Sequence, residues 1–238
     1  MPRPNKILVV VTGDPPDNVR ERHGDYFAIM KRAIGSAWAG DFAAVDVREQ
    51  AIGSLADDAA LVVTGSSANV HLRDPWVIAV EEELAALVAR DRPILGICFG
   101  HQLLAQALGG DVQPNPRGRE VSTVEVERLS ADPLLRNMGP SFRANACHSD
   151  SAVSLPNEAK LLACSEGDPH QVVRFGRLAW GVQFHPEFDG ELMRAFVEAR
   201  REPIEAEGLD YAALHARATD APESQLVFRN FFRALEDD

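Results

Sequence analysis

The amino-acid sequence predicts an α/β protein, with a mostly parallel central sheet flanked by helices and a small antiparallel β addition. Three observations carry this expectation. Short continuous apolar runs rich in β-branched residues are closed by glycine-containing turns, the mark of strands buried on both faces. Segments with helical spacing alternate with those runs, as in a sheet built from strand–helix–strand units. The chain has 238 residues, 45% of them hydrophobic, which suffices for one α/β domain with a sizeable core.

The elements follow in chain order. Residues 7–11 form an apolar run closed by Thr12-Gly13-Asp14-Pro15-Pro16, a buried strand followed by a loop. Residues 25–34 read as a helix, with Tyr26, Phe27, Ile29, Met30 and Ile34 available for one face. Residues 42–47 and 60–63 read as strands, the latter ending at Thr64-Gly65-Ser66-Ser67. Residues 76–90 predict a helix with Val77, Val80, Leu84, Leu87 and Val88 on the apolar face and Glu81, Glu82 and Glu83 on the polar side. Residues 93–97 are a fourth buried strand, and 102–108 a helix stopped by Gly109-Gly110. At residues 120–128 the pattern changes to strict alternation, which suggests antiparallel strands inserted in or appended to the main sheet. Residues 160–164, 171–175 and 178–184 continue this β-rich section. Helices return at 190–201 and 223–235, and 206–222 between them reads as irregular and polar. No repeat, low-complexity tract or linker divides the chain. The expected organisation is one domain over residues 1–238 with a C-terminal helical extension over about 189–238. In that extension Phe228, Phe231, Phe232 and Leu235 make an apolar face that either packs on the main body or meets another protein chain.

Composition narrows the function classes. The 36 acidic residues against 24 basic ones give a formal net charge of −12, which argues against a general nucleic-acid or anionic-membrane binder. Cys98, Cys147 and Cys164 are too few for a disulfide framework and lack the paired spacings of a zinc site; no metal and no cofactor are expected. The stretch from Met1 to Thr12 is too short for a signal-peptide core with its cleavage site, and no later apolar stretch reaches spanning length. A cytoplasmic location is the default expectation.

The chemistry concentrates in two segments. In Gly96-Ile97-Cys98-Phe99-Gly100-His101-Gln102 a buried strand runs through Gly-x-Cys-x-Gly into a helix, the form of a nucleophile elbow with cysteine as nucleophile. A turn this sharp crowds the backbone on both sides of Cys98, where side chains would block it. It lifts the sulfur over the carboxyl end of the sheet and onto a helix N-terminus, whose partial positive charge favours thiolate. The competing reading is a core cysteine in a tight turn. In the second segment, Gly181-Val182-Gln183-Phe184-His185-Pro186-Glu187, a strand ends before Pro186, which has no N–H for a sheet and biases His185 toward extended backbone. If the chain stays extended, Glu187 points the same way as His185 and can orient its ring, leaving the other ring nitrogen as base for Cys98. The competing reading is a surface turn with a solvated carboxylate.

Together the two motifs, in this order and at this separation, resemble the class I (triad-type) glutamine amidotransferase family over roughly the first 190 residues. The resemblance implies a flavodoxin-like fold and catalysis by Cys98, His185 and Glu187. Cys98 would attack a side-chain amide, form a γ-glutamyl thioester, and release ammonia and then glutamate. It implies an oxyanion hole from the N–H groups of Ser66 and Phe99, with serine standing where the family usually has glycine. It also implies substrate contacts from Gly65, Gln102, Ser149 and Asp150, the last two within Cys147-His148-Ser149-Asp150. His23-Gly24-Asp25-Tyr26-Phe27 and Asp74-Pro75-Trp76-Val77 look like the stand-alone members, which resemble the amidotransferase part of GMP synthetase and the γ-glutamyl peptidases. Tyr26 and Trp76 also fit simple packing roles. No phosphate loop of the form Gly-x-x-x-x-Gly-Lys-Ser/Thr occurs. The partners implied are a small-molecule γ-glutamyl substrate and, for ammonia transfer, a separate ammonia-accepting synthetase subunit. Two other readings stay open: a non-catalytic regulatory subunit with the same fold, and a cysteine hydrolase of the related protease and chaperone branch.

Overall fold

A computed structural model describes residues 4–237; Met1, Pro2 and Arg3, where the N-terminal reading begins, lie outside them. The first half comprises β1 (Lys6–Val11), α1 (Asp17–His23), α2 (Tyr26–Ile34), β2 (Asp41–Asp46), β3 (Ala59–Val63), α3 (Pro75–Ala89), β4 (Ile94–Ile97) and α4 (Phe99–Ala107). The β-rich section follows: β5 (Asp111–Pro114), β6 (Glu120–Arg128), β7 (Ser141–His148), β8 (Asp150–Ser154), β9 (Lys160–Ser165), β10 (Val172–Gly176) and β11 (Ala179–Val182). Four helices close the chain: α5 (Gly190–Ala199), α6 (Arg201–Ala206), α7 (Tyr211–Arg217) and α8 (Pro222–Ala234).

Nine strands make one sheet in the order β2-β1-β3-β4-β11-β10-β9-β6-β7. The five from β2 to β11 are parallel neighbours. β10, β9, β6 and β7 continue the sheet antiparallel, and β5 pairs with β8 in a separate antiparallel ribbon. The antiparallel addition is thus both an extension of the main sheet and a small ribbon beside it.

The parallel strands are apolar throughout because both faces are covered. Ile7, Val9, Val62, Leu95 and Trp180 share one core with Met30 of α2 and Phe228 and Phe231 of α8. Leu8, Val10, Leu61, Val63 and Ile94 share the other with Val77, Val80 and Leu84 of α3 and Leu103 of α4. The two-residue alternation of side chains along β1 assigns each to its layer. The Phe228–Phe231 face packs on the main body, with Phe231 edge-on to Trp180 at 6.0 Å between ring centroids. Among the described residues no helix is long and apolar enough to cross a membrane.

Three expectations change. Glu81 is not on a polar face: it is buried, and Arg73, folded back from the turn before α3, holds both its carboxylate oxygens at 2.6 Å. Residues 206–222 are not irregular throughout, because α7 runs through them, capped by the Asp210 carboxylate accepting the Ala213 N–H at 3.0 Å. None of the α7 residues is fully buried, and only Tyr211 and Leu214 reach the core, a face too narrow for the sequence to announce the helix. Helix α4 starts at Phe99, three residues before the expected position, which puts Cys98 at its N-cap.

Candidate active site

The site is built at the carboxyl ends of three adjacent parallel strands, where open α/β sheets present their ligand crevice. β4 lies between β3 and β11, with Val63 opposite Gly96 on one side and Val182 opposite Ile97 on the other. The turn after β3, the elbow after β4 and the segment after β11 therefore leave the sheet side by side. The Cys98 N–H donates to the Val182 carbonyl at 2.8 Å, fixing the elbow to the strand that leads to His185.

Cys98 has φ 51° and ψ −100°, a conformation that non-glycine residues rarely adopt. Its neighbours must be glycine. A Cβ on Gly96 would come within 2.5 Å of the Gly100 carbonyl oxygen, and one on Gly100 within 2.6 Å of the Val63 carbonyl oxygen. Gly65 faces the same centre: a Cβ there would lie 3.0 Å from His185 Cε1 and 3.8 Å from Cys98 Cβ. Ser66 keeps φ out of the positive region, and its hydroxyl donates to the Thr12 carbonyl at 2.9 Å. The Phe99 N–H is the first of α4, a position with no acceptor within its own helix.

His185 and Glu187 meet by a different backbone route from the one expected. The chain is not extended here but turns, the Phe188 N–H donating to the His185 carbonyl at 3.2 Å. The turn still brings Nδ1 of His185 to 2.7 Å from Oε1 of Glu187. The same ring comes beside Cys98: His185 Cε1 and Cys98 Cβ both face the space over Gly65. Burial alone would push the imidazole pKa down, but the Glu187 carboxylate and the Cys98 sulfur overcome it and hold the pKa well above the ordinary value. The ring is fixed by stacking: Phe188 lies 4.1 Å away at 8°, and Phe196 of α5 stacks on Phe188 at 4.3 Å. The C-terminal extension thus buttresses the histidine.

A cavity of about 230 Å³ opens beside the sulfur, walled by Ser66, Cys98, Phe99, Gln102, Ser149 and Asp150. Gly65, His185 and Glu187 stand behind that wall. Gln102 is held by its own amide, which donates to the Asp150 carbonyl at 2.9 Å and to Gln183 Oε1 at 3.1 Å. Ser149 joins β7 to β8, and Asp150 opens β8. The Asp150 carboxylate is 2.6 Å from Nδ1 of His71. Beneath it His148 is fully buried, 2.9 Å from the Asp150 carbonyl and 3.0 Å from Glu120. Burial opposes its charge, but Glu120 and Asp168 prevail, and its pKa is pushed up to about 9.

Other residues at the site either carried no sequence signal or had no settled role. Arg119, Arg200 and Pro203 also wall the cavity. Gln183, inside the histidine motif but without an assigned role, donates to the Cys98 sulfur at 3.5 Å. Tyr26 is buried near the centre; burial first, then Glu187 and Cys98, push its pKa up. Trp76 stacks on Phe99 at 5.8 Å, a packing role.

Comparison with known proteins gives a consistent picture. The family model "Glutamine amidotransferase class-I" matches residues 45–200. A subunit of the glutamine-hydrolysing GMP synthase from Ignicoccus hospitalis is 39% identical over 105 residues, covering 44% of this chain and 55% of that protein. Gamma-glutamyl peptidase 5 of Arabidopsis thaliana is 27% identical over 191 residues, covering 76% and 74%. The chain spans between 24% and 55% of the length of the first GMP synthase relatives it matches. A glutamine amidotransferase structure from Thermotoga maritima shares the fold, with a TM-score of 0.73, 22% identity and coverage of 97% of this chain and 96% of that one.

Proposed function

The chain belongs to the class I glutamine amidotransferase family, and from that premise we propose that it hydrolyses a γ-glutamyl amide through a thioester on Cys98. One observation supports the reading: His185, with Nδ1 2.7 Å from the Glu187 carboxylate, faces the space over Gly65 together with Cys98, the arrangement of nucleophile, base and orienter.

In this mechanism the Cys98 sulfur attacks the side-chain carbonyl carbon while His185 holds the thiol proton. The carbonyl oxygen becomes an oxyanion facing the N–H groups of Ser66 and Phe99, each worth about 3–4 kcal/mol of transition-state stabilisation. Collapse breaks the C–N bond, and the leaving ammonia or amine takes the proton from His185. Water then attacks the thioester, His185 accepts its proton, and the C–S bond breaks to free glutamate and return the thiol. Glu187 stabilises the imidazolium throughout without itself becoming protonated. Gln102, Ser149 and Asp150 hold the amino-acid end, and Gly65 leaves room for the histidine ring beside the sulfur.

With glutamine as substrate, a separate synthetase subunit would accept the ammonia; the naming of the Ignicoccus relative as one subunit of its synthase favours this form. With a γ-glutamyl peptide the chain acts alone; the longer alignment with the Arabidopsis peptidase favours that form. The test is glutamate release by purified protein from glutamine, γ-glutamyl peptides and γ-glutamyl amines, with Cys98→Ala as control. The expected result is release by wild type, none by Cys98→Ala, and a selective mass increase on Cys98 with a glutamine-mimicking electrophile. Undiminished release by folded Cys98→Ala would refute the mechanism. Absence of both release and labelling would favour a non-catalytic subunit.

A further inference from the structure

We propose that Arg200 and Arg119 form a subsite for a carboxylate on the leaving side of the scissile amide, so that the preferred substrate is a γ-glutamyl dipeptide with a free C-terminal carboxylate. This deepens the hydrolase reading above and rests on it.

Both arginines wall the cavity that holds Cys98. Arg200 sits where α5 passes into α6, its backbone N–H bonded to the carbonyls of Phe196 at 3.1 Å and Val197 at 3.2 Å. Its guanidinium makes no ion pair or hydrogen bond among the described residues. It shares the cavity wall with Cys98 and Cys147, and its charge acts on Cys147 and Tyr26. Arg119 is anchored: Nε and Nη2 grip the Glu207 carboxylate at 2.9 and 2.7 Å, leaving Nη1 as a positioned donor. A free guanidinium and one positioned N–H donor on the wall of the same cavity can receive a carboxylate.

The shape of the site places that carboxylate on the leaving side. At about 230 Å³ the Cys98 cavity is smaller than the roughly 300–1,000 Å³ of typical ligand pockets. Arg119 also walls a second cavity of about 850 Å³, together with Arg117 and Arg217. Gln102 and Asp150 line only the first cavity, so the γ-glutamyl end sits there and the rest of the substrate passes Arg119. An enzyme that expels only ammonia needs no cation on that path. In a chain of net charge −12, with Arg119 paired to Glu207, the unpaired Arg200 guanidinium is the charge at the outlet that would attract an anion.

The test compares one γ-glutamyl dipeptide as free acid and as C-terminal amide. Binding of both to Cys98→Ala is measured by calorimetry, and turnover of both is measured with active protein. The free acid should bind at least about tenfold more tightly, the scale of a charge-assisted hydrogen bond. Arg200→Gln should bring that ratio close to one, Arg119→Gln should lower it, and Arg200→Lys should retain most of it. Equal affinity for acid and amide overturns the proposal. So does an Arg200→Gln variant that weakens glutamine and both dipeptides by one common factor, since that would put the guanidinium on the glutamyl end. The binding arm does not depend on turnover: acid preference without glutamate release supports the subsite and refutes the hydrolase reading.

Discussion

Cys98 holds a backbone conformation costing about 1–3 kcal/mol, kept in place by strands and helix on either side. The strain presents the sulfur to a histidine whose proton is stabilised by a carboxylate. Under the proposed mechanism His185→Ala removes the proton carrier, and kcat should fall about 10²–10⁴-fold. Glu187→Gln only disturbs orientation and charge, so its loss should be smaller; rates of glutamate release rank the two, and the reverse order would contradict the assigned roles. Two other buried histidines set how stability depends on pH. His148 is held charged, its pKa pushed up to about 9 despite burial. Its contribution is complete below the ordinary value and is lost as pH rises toward and through 9. His101 is held neutral, burial pushing its pKa down to about 3. The unfolded chain binds that proton below the ordinary histidine value and the folded one does not, so stability falls as pH drops from there toward 3. Urea midpoints between pH 4 and 9 should peak near 6–7, and His148→Gln should flatten the alkaline limb.

The strand-to-helix elbow is the element on which the geometry depends. Gly96→Ala would force a Cβ to 2.5 Å from a backbone oxygen that has no flexible side chain to yield. The expected cost is about 1–3 kcal/mol or more, read as a lower urea midpoint, with loss of activity exceeding that of the unfolded fraction. The pairing of α3 with the preceding turn is a second test at this scale. Arg73→Ala leaves the buried Glu81 carboxylate without its partner and should cost about 1–3 kcal/mol. Glu81 itself has a pKa raised by burial, against the pull of Arg73, so that cost should grow at higher pH, where the carboxylate is charged.

Across the whole molecule, the parallel half of the sheet carries the proposed nucleophile and base, and the antiparallel half with the C-terminal helices supplies walls and support. Phe228 and Phe231 of α8 cover one face of the sheet, and Phe196 of α5 stands behind the Phe188–His185 stack. Phe231→Ala should cost about 3–5 kcal/mol of stability by opening a cavity at the Trp180 contact. Because Phe231 does not wall the Cys98 cavity, the folded fraction should retain its Km for substrate; thermal melting and kinetics at low temperature separate the two effects.

The parallel half was legible in the sequence because strands buried on both faces must be apolar throughout, and glycine turns mark their ends. Both motifs were legible because Gly96 and Gly100 answer a local backbone demand, and because His185 and Glu187 are neighbours along the chain. That β3, β4 and β11 lie side by side was decided only by folding, since hydrogen bonds between strands distant in sequence leave no mark on either strand alone. The same holds for His71 against Asp150, Arg73 against Glu81, and the two arginines at the cavity. Polar side chains far apart in sequence carry no periodicity that announces a partner. Short elements with a narrow apolar face, such as α7 with Tyr211 and Leu214, likewise owe their conformation to caps and to the surface on which they rest.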